Sequence, residues 1–161
     1  MREGDFTAAV RRLFERLGLG EPRFDGTGIV RLRIEAVGVN LTDGGNGRML
    51  IEAQAGPLPP DGPARAGAVA EVLRTAAGLL LDSEAGTYLR AFPGGQDMVL
   101  VQASHPCRSG DLDRLATRIE DVVHLAELHG ASLASGASAK AAPRPAKPAA
   151  PGIDDMLIFR P

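Results

Sequence analysis

Aromatic residues, cysteines and long apolar runs are all scarce in this 161-residue sequence. It has no Trp, one Tyr and five Phe, so its core must be built mainly from Leu, Val, Ile and Ala. Its single cysteine, Cys107, cannot form an internal disulfide, which favours a reducing, cytoplasmic compartment. No run of about 18 apolar residues is present, so we expect no membrane insertion. The first residues, MREGDFTAAVRRLFERLG, lack the apolar stretch of a secretory signal peptide.

An excess of charge of one sign is also lacking. The chain carries 18 Lys and Arg against 20 Asp and Glu, for a formal net charge of −2. Nucleic-acid-binding proteins need a basic face for the phosphates, so the sequence predicts no nucleic-acid partner. The length is typical of one domain. Such a domain buries roughly two-thirds of its unfolded surface, so it needs neither a metal nor a disulfide for stability.

The spacing of apolar residues predicts three helices and five strands in the order α-β-β-β-α-β-β-α. The helices are marked by apolar residues that recur every three or four positions, and the strands by alternation. The helices are expected over about 5–17, 64–81 and 111–129, with Gly130 as a stop, and the strands over about 29–35, 37–42, 48–54, 87–92 and 98–103. Because hairpins lie between the helices, the expected fold class is α+β, a twisted antiparallel sheet flanked by helices.

The composition changes near residue 134, which divides the chain into three parts. Residues 1–134 form the predicted α+β domain, and the Pro/Ala-rich residues 135–152 are expected to be a flexible tether. Residues 153–161, IDDMLIFRP, carry an apolar cluster: Met156, Leu157, Ile158 and Phe159. This cluster has three readings: it folds back onto the domain, it recruits a component such as a secretion ATPase or sorting platform, or it is inert.

Candidate catalytic and metal-binding residues are few. His105 lies two positions from Cys107, a spacing that admits a redox or nucleophilic thiol, but a loop between a strand and a helix explains the same residues. His124 and His129 are five positions apart on a predicted helix, which does not make a zinc site. We therefore expect no enzyme activity, no cofactor and no metal, with a Cys107 enzyme as a minor alternative.

The order and spacing of these segments resemble the CesT/Tir-chaperone family, the effector-specific chaperones of bacterial type III secretion. The resemblance covers about residues 5–130. It rests on the helix FTAAVRRLFERLGL, the strands GIVRLRIE, VGVNLT and RMLIEAQA, the segment AGPLPPDGPARAGAVAEVLRTAAGLLL, and the closing pieces GTYLRAFP, DMVLVQAS and DLDRLATRIEDVVHLAELHG. The tether and residues 153–161 lie outside the family pattern.

The resemblance implies a cytoplasmic homodimer without enzyme activity that holds the N-terminal segment of a secreted effector in an extended form. Its dimer interface would map onto the second helix and the following strand, at Val69, Val72, Leu73, Ala76, Leu80 and Tyr88. The candidate effector-binding groove consists of Phe6, Val10, Phe14, Leu32, Ile34 and Val39, and core positions are the competing reading for the same residues. The alternative function is a non-chaperone adaptor or regulatory protein-binding module on the same fold.

Overall fold

The computed structural model describes residues 4–79, 83–92 and 95–141, with only the backbone given for 136–141. The predicted order of elements is confirmed. The elements are α1 Gly4–Leu17, β1 Val30–Ile34, β2 Val37–Gly45, β3 Arg48–Pro57, α2 Pro63–Leu79, β4 Gly86–Arg90, β5 Met98–Pro106 and α3 Leu112–Ala141. The predicted interface residue Leu80 and the predicted cluster Met156 to Phe159 lie outside the described residues.

The five strands form one antiparallel sheet in the order β1-β2-β3-β5-β4. β2 and β3 are joined by a tight turn at Asn46 and Gly47, whose φ angles are 53° and 70°. Asn and Gly are the residues that best tolerate such angles, so the Asn-Gly pair selects the hairpin. The chain leaves β3 through α2 and returns as β4, which places β1 and β4 at the two edges.

The main core lies between one face of the sheet and the helices α1 and α3. Helix α1 contributes Phe6, Ala9, Val10, Leu13 and Phe14, and the sheet and α3 contribute most of the rest. A smaller cluster joins α2 to this body through Leu58, Val72, Val99 and Leu133. In this cluster, α2 packs against Val99 of β5 and Leu133 of α3. Helix α2 therefore lies on the same side of the sheet as α3.

Helix α3 continues past Gly130 to Ala141, and the prediction that Gly130 ends it is wrong. A Cβ at Gly130 would stand 2.9 Å from the carbonyl oxygen of Ala55 in β3. The glycine is therefore required for close packing of helix against strand, not for a left-handed helix end. As a result, residues 135–141 are helical instead of belonging to the tether, and residues 142–152 lie outside the described part.

Candidate protein-binding surfaces

At Arg33, the outer edge of β1 pairs with no strand of the described residues. The register of β1 with β2 joins Ile34 to Val37 across a two-residue turn and Arg33 to Gly38. Hydrogen-bonded and non-bonded pairs alternate along such a hairpin, starting from the pair that closes the turn. The backbone N–H and C=O of Arg33 therefore point away from β2. An extended peptide can add a strand at this position.

The first half of the same edge is already covered by the segment before β1. Phe24 forms an isolated antiparallel bridge with Val30, and its ring packs edge-on against Phe6 at 6.1 Å between centroids. The turn is fixed by Asp25, whose carboxylate accepts hydrogen bonds from Thr27 and from the Ile29 N–H. These bonds, led by the Thr27 hydroxyl, lower the pKa of Asp25. The open part of the edge thus begins just after Val30.

The predicted groove residues divide into two groups in the structure. Four of them are buried in the core of the monomer: Phe6, Val10 and Phe14 of α1, and Val39 of β2. They are buried because α1 packs directly against the sheet. They are core residues, and Val10 and Val39 offer no surface to a partner. Leu32 and Ile34 are half-buried and pack at the margin of the core. They flank Arg33 on the helix side of the sheet, beside the open edge.

A shallow depression lies next to the covered part of the β1 edge. It is lined by the rings of Phe6 and Phe24 together with small and polar residues, Gly4, Thr7, Thr27, Gly28, Ile29, Thr42 and Asp43. Phe6 keeps a small exposed fraction here although most of its ring is core. The depression could receive one apolar side chain of a peptide that follows the edge.

Three large apolar side chains, one on α2, one on β4 and one shortly after β4, are exposed to solvent. Leu73 is 62% exposed, Leu89 is 45% exposed and Phe92 is 39% exposed. The backbone of Leu89 lies on the outer edge of the sheet, where no described strand pairs with β4. Large exposed aliphatic and aromatic side chains beside an open edge are typical of an interface. We call these three residues the α2–β4 surface.

The predicted dimer-interface residues lie at different places in the structure. Leu73 belongs to the α2–β4 surface, and Val69 and Ala76 are half-buried on α2. Val72 packs in the smaller core cluster. Tyr88 lies on the face of the sheet opposite the described helices, because alternation along β4 separates it from Leu89. Leu89 and Phe92 were not among the predicted interface residues, although the alternation of the strand places Leu89 opposite Tyr88.

On the face of the sheet opposite the described helices, Tyr88 belongs to a polar cluster with Glu52 and Arg90. Arg90 pairs with the Glu52 carboxylate at 2.7 Å and donates a hydrogen bond to the Tyr88 hydroxyl at 2.9 Å, and the Tyr88 hydroxyl donates to Glu52. Burial and the bond to Glu52 raise the pKa of Tyr88. The cluster spans β3 and β4 across Leu100, which is fully buried. The three side chains thus bond to one another across this face of the sheet.

The candidate catalytic pair does not form a reactive site. His105 and Cys107 are both almost fully buried. Burial lowers the pKa of His105 and raises the pKa of the Cys107 thiol, whereas a nucleophilic cysteine needs a lowered thiol pKa and access to substrate. Within 4–79, 83–92 and 95–141, no three His, Cys, Asp or Glu side chains are grouped as metal ligands would be. No helix in those ranges is long and apolar enough to cross a membrane.

A wide apolar groove, which sequence reasoning missed, lies between α2 and α3. Its volume is about 790 Å³. Its walls are mostly proline, alanine and glycine: Ala55, Gly56, Pro57, Pro59, Pro60, Pro63, Ala64, Gly67, Ala68, Gly130, Leu133 and Ala134, with Glu71, Gln96 and Ser132 as polar members. Three of these residues follow Gly130, so the groove exists because α3 continues beyond the predicted stop. We call it the α2–α3 groove.

Comparison with known proteins identifies the fold but no sequence relative. No protein-family model and no curated protein matches the chain. Among solved structures, a chain of the HopA1-SchA chaperone-effector complex aligns with a TM-score of 0.60 at 16% identity, over 81% of this chain and 98% of that one. A chain of the Yersinia pestis type III secretion chaperone SycH in complex with a fragment of YscM2 aligns with a TM-score of 0.56 at 17% identity, over 75% and 96%.

A third structure carries a different description. It is YbjN, a putative transcription regulator from E. coli, with a TM-score of 0.53 at 13% identity over 82% of this chain and 92% of that one. At these identities the likeness concerns the backbone arrangement. The chain therefore has the fold of the type III secretion chaperones, with an open five-stranded antiparallel sheet flanked by helices, as the sequence predicted.

Proposed function

We propose that this protein is a cytoplasmic type III secretion chaperone of the CesT/Tir class that binds an extended segment of a secreted effector. The observation that carries the proposal is the open edge of β1 at Arg33, flanked by the half-buried side chains of Leu32 and Ile34. The fold likeness to chains from chaperone-effector complexes supports it. Binding, without covalent chemistry, agrees with the burial of His105 and Cys107.

Strand addition explains how such a site would hold an unfolded segment. The outward N–H and C=O of Arg33 would bond to the backbone of the added peptide, which gives affinity with little dependence on sequence. Alternate side chains of the peptide would face the helix side of the sheet, near Leu32, Ile34 and the shallow depression lined by Phe6 and Phe24. Those contacts would give specificity. The client segment would be extended over this contact, because strand addition pairs an extended backbone with the edge.

A homodimer would cover the α2–β4 surface. Leu73, Leu89 and Phe92 would then be removed from water, with a free-energy gain of about 25 cal/mol for each Å² of apolar surface buried. A two-fold interface uses the same patch on both copies, so the β1 edges would be duplicated. One long client segment could then contact both copies of the edge.

The test first identifies the client and then asks whether its binding requires the backbone N–H of Arg33. A client co-purified from the native host is identified by mass spectrometry, and its bound segment is mapped by protection from protease. Binding of that segment is then measured for Arg33→Pro, which removes the outward N–H, and for the matched control Arg33→Ala, which keeps it. We expect Arg33→Pro to lose most of its affinity while Arg33→Ala binds like wild type. Equal affinity in both variants would contradict strand addition at β1.

The second candidate function is a non-chaperone adaptor or regulatory module that binds a folded partner. The likeness to YbjN favours it, because that structure is described as a putative transcription regulator. The two functions differ in the state of the partner. A client whose segment is protease-sensitive when free and protected when bound supports the chaperone, whereas a partner that binds only as a folded domain supports the adaptor.

A further inference from the structure

The α2–α3 groove has the chemistry of a receptor for apolar side chains. Its walls offer proline rings and the methyl groups of alanine, with few groups able to form hydrogen bonds. A volume of about 790 Å³ is comparable to that of ligand-binding clefts, roughly 300–1,000 Å³, and accommodates several side chains of a short peptide. Its polar members, Glu71, Gln96 and Ser132, favour an occupant that is apolar in the middle and polar or basic at one end.

We propose that residues 153–161 of the same chain occupy this groove and act as an intramolecular ligand. The segment IDDMLIFRP places four consecutive apolar residues, Met156 to Phe159, directly before Arg160. The apolar residues match the proline and alanine walls. The Glu71 carboxylate, which pairs with Arg74 along the helix but remains 45% exposed, offers a partner for Arg160. This inference does not depend on the proposed chaperone function.

The length of chain after α3 is sufficient for the segment to return. The groove includes Ala134, and α3 continues for seven residues to Ala141, which carries the chain about 10 Å onward at 1.5 Å per residue. Eleven residues, 142–152, then connect α3 to the apolar segment. A Pro-rich stretch of that length spans up to about 34 Å when extended and about 17–20 Å as a flexible coil. Either span exceeds the distance of about 10 Å from the end of α3 back to Ala134.

Charge on the connection favours a position near the body. Residues 135–152 contain three basic residues, Lys140, Arg144 and Lys147, and no acidic one, whereas residues 1–134 carry 14 basic and 18 acidic residues. The attraction between the two holds the connection near the body. Residues 153–161 themselves carry Asp154 and Asp155 against Arg160, so their docking depends on the four apolar residues and on the contact of Arg160 with Glu71.

Disulfide trapping in the full chain tests where the segment lies. The variant pair Gly67→Cys and Leu157→Cys places one thiol in the groove and one in the segment; a Cβ at Gly67 has no atom within 4 Å, so that substitution fits. Native Cys107 is left in place because it is buried. We expect mild oxidation to give an intrachain disulfide. The control pair, Arg33→Cys with Leu157→Cys, places the first thiol at the far edge of the sheet and should remain reduced.

Each other result of the trapping experiment overturns the proposal. A disulfide between two chains would mean that the segment docks on a second copy. Equal trapping at positions 67 and 33 would mean that it has no preferred position. An absence of trapping at position 67 would mean that the groove is free for an external peptide or that the segment binds another component, as a secretion ATPase or sorting platform would require.

Limited proteolysis of chains without added cysteines gives an independent readout. Chymotrypsin cleaves after Leu157 and Phe159 when the segment is accessible, and mass spectrometry follows both cleavages. Gly67→Gln fills the groove, whereas Gly78→Gln makes the same change on the same helix outside the groove, and neither Cβ meets an atom within 4 Å. We expect Gly67→Gln to accelerate cleavage several-fold and Gly78→Gln to leave it unchanged. Equal cleavage in wild type and both variants would overturn the proposal.

Discussion

Gly130 in α3 lies against the backbone of Ala55 in β3, so closely that a Cβ on Gly130 would stand 2.9 Å from the Ala55 carbonyl oxygen. Contacts this short do not occur for real Cβ atoms, and the neighbour is backbone that cannot turn aside. The glycine thus sets the distance at which the second half of α3 passes the sheet. It also positions Leu133 and Ala134, which line the α2–α3 groove.

Replacement of Gly130 by alanine should therefore destabilise the protein although alanine favours helices. We expect Gly130→Ala to lower the free energy of unfolding by about 1–3 kcal/mol, the usual range for overpacking. Gly78→Ala, in α2 outside the groove and with no atom within 4 Å of the added Cβ, should raise it by about 0.5–1 kcal/mol through helix propensity. Urea unfolding followed by circular dichroism measures both. Stabilisation by Gly130→Ala would contradict the close contact.

His129 should make the stability of the protein fall in mild acid. The residue is fully buried, its Nε2 lies 2.9 Å from the Thr87 hydroxyl, and burial lowers its pKa from a usual value near 6.5. Below that value the unfolded chain takes up a proton that the folded chain resists, so stability is constant at higher pH and declines as the pH falls from 6.5 towards the folded pKa.

The measurement is the difference in unfolding free energy between pH 7.5 and pH 5.5. We expect His129→Gln to reduce this difference relative to wild type, whatever its effect at pH 7.5. His124→Gln, at an exposed position of the same helix, should retain the wild-type difference. An unchanged pH dependence in His129→Gln would remove His129 as its source.

The α2–β4 surface predicts a dimer that charge can dissociate. A glutamate in place of Leu73, which is 62% exposed in the monomer, would put a charge against the partner's copy of the same surface. We expect wild type to be dimeric and Leu73→Glu to be monomeric by sedimentation equilibrium. Leu19→Glu, at a comparably exposed leucine outside the surface, serves as the control and should remain dimeric. A monomeric wild type would contradict the dimer.

Glu35 in the β1–β2 turn should be improved by glycine. Its φ angle of 53° lies in the left-handed region, where a side chain is strained. We expect Glu35→Gly to raise the midpoint of thermal unfolding. Ala36→Gly, at the neighbouring position without a positive φ, should lower that midpoint because it only adds freedom to the unfolded chain. A lower midpoint for Glu35→Gly would show that the Glu35 side chain compensates its own strain.

The order and type of the elements follow from local patterns, which is why the sequence predicts them well. Alternation identifies each strand, and Asn46-Gly47 identifies its hairpin. The stop at Gly130 was predicted wrongly because a glycine has the same appearance at a helix end and at a close contact. Only the position of Ala55, distant in sequence, separates the two meanings.

The binding surfaces depend even more on distant contacts. Periodicity shows that Val10 and Val39 lie on apolar faces, but it does not show that α1 packs against the sheet and buries both. The family resemblance assigns Tyr88 to one interface with α2, while the pleat of β4 turns its side chain to the opposite side of the sheet. The α2–α3 groove needs both helices in place and leaves no periodic signal in either.

The extension of α3 to Ala141 also bears on how strongly an outside peptide must compete. It shortens the connection to residues 153–161 from eighteen residues to eleven. A connection of that length would hold an attached ligand at an effective concentration in roughly the millimolar range. An intrinsic Kd below that concentration would then keep the cleft filled most of the time. An incoming peptide would have to displace the resident segment against that local excess, so only a tight or abundant competitor would gain entry.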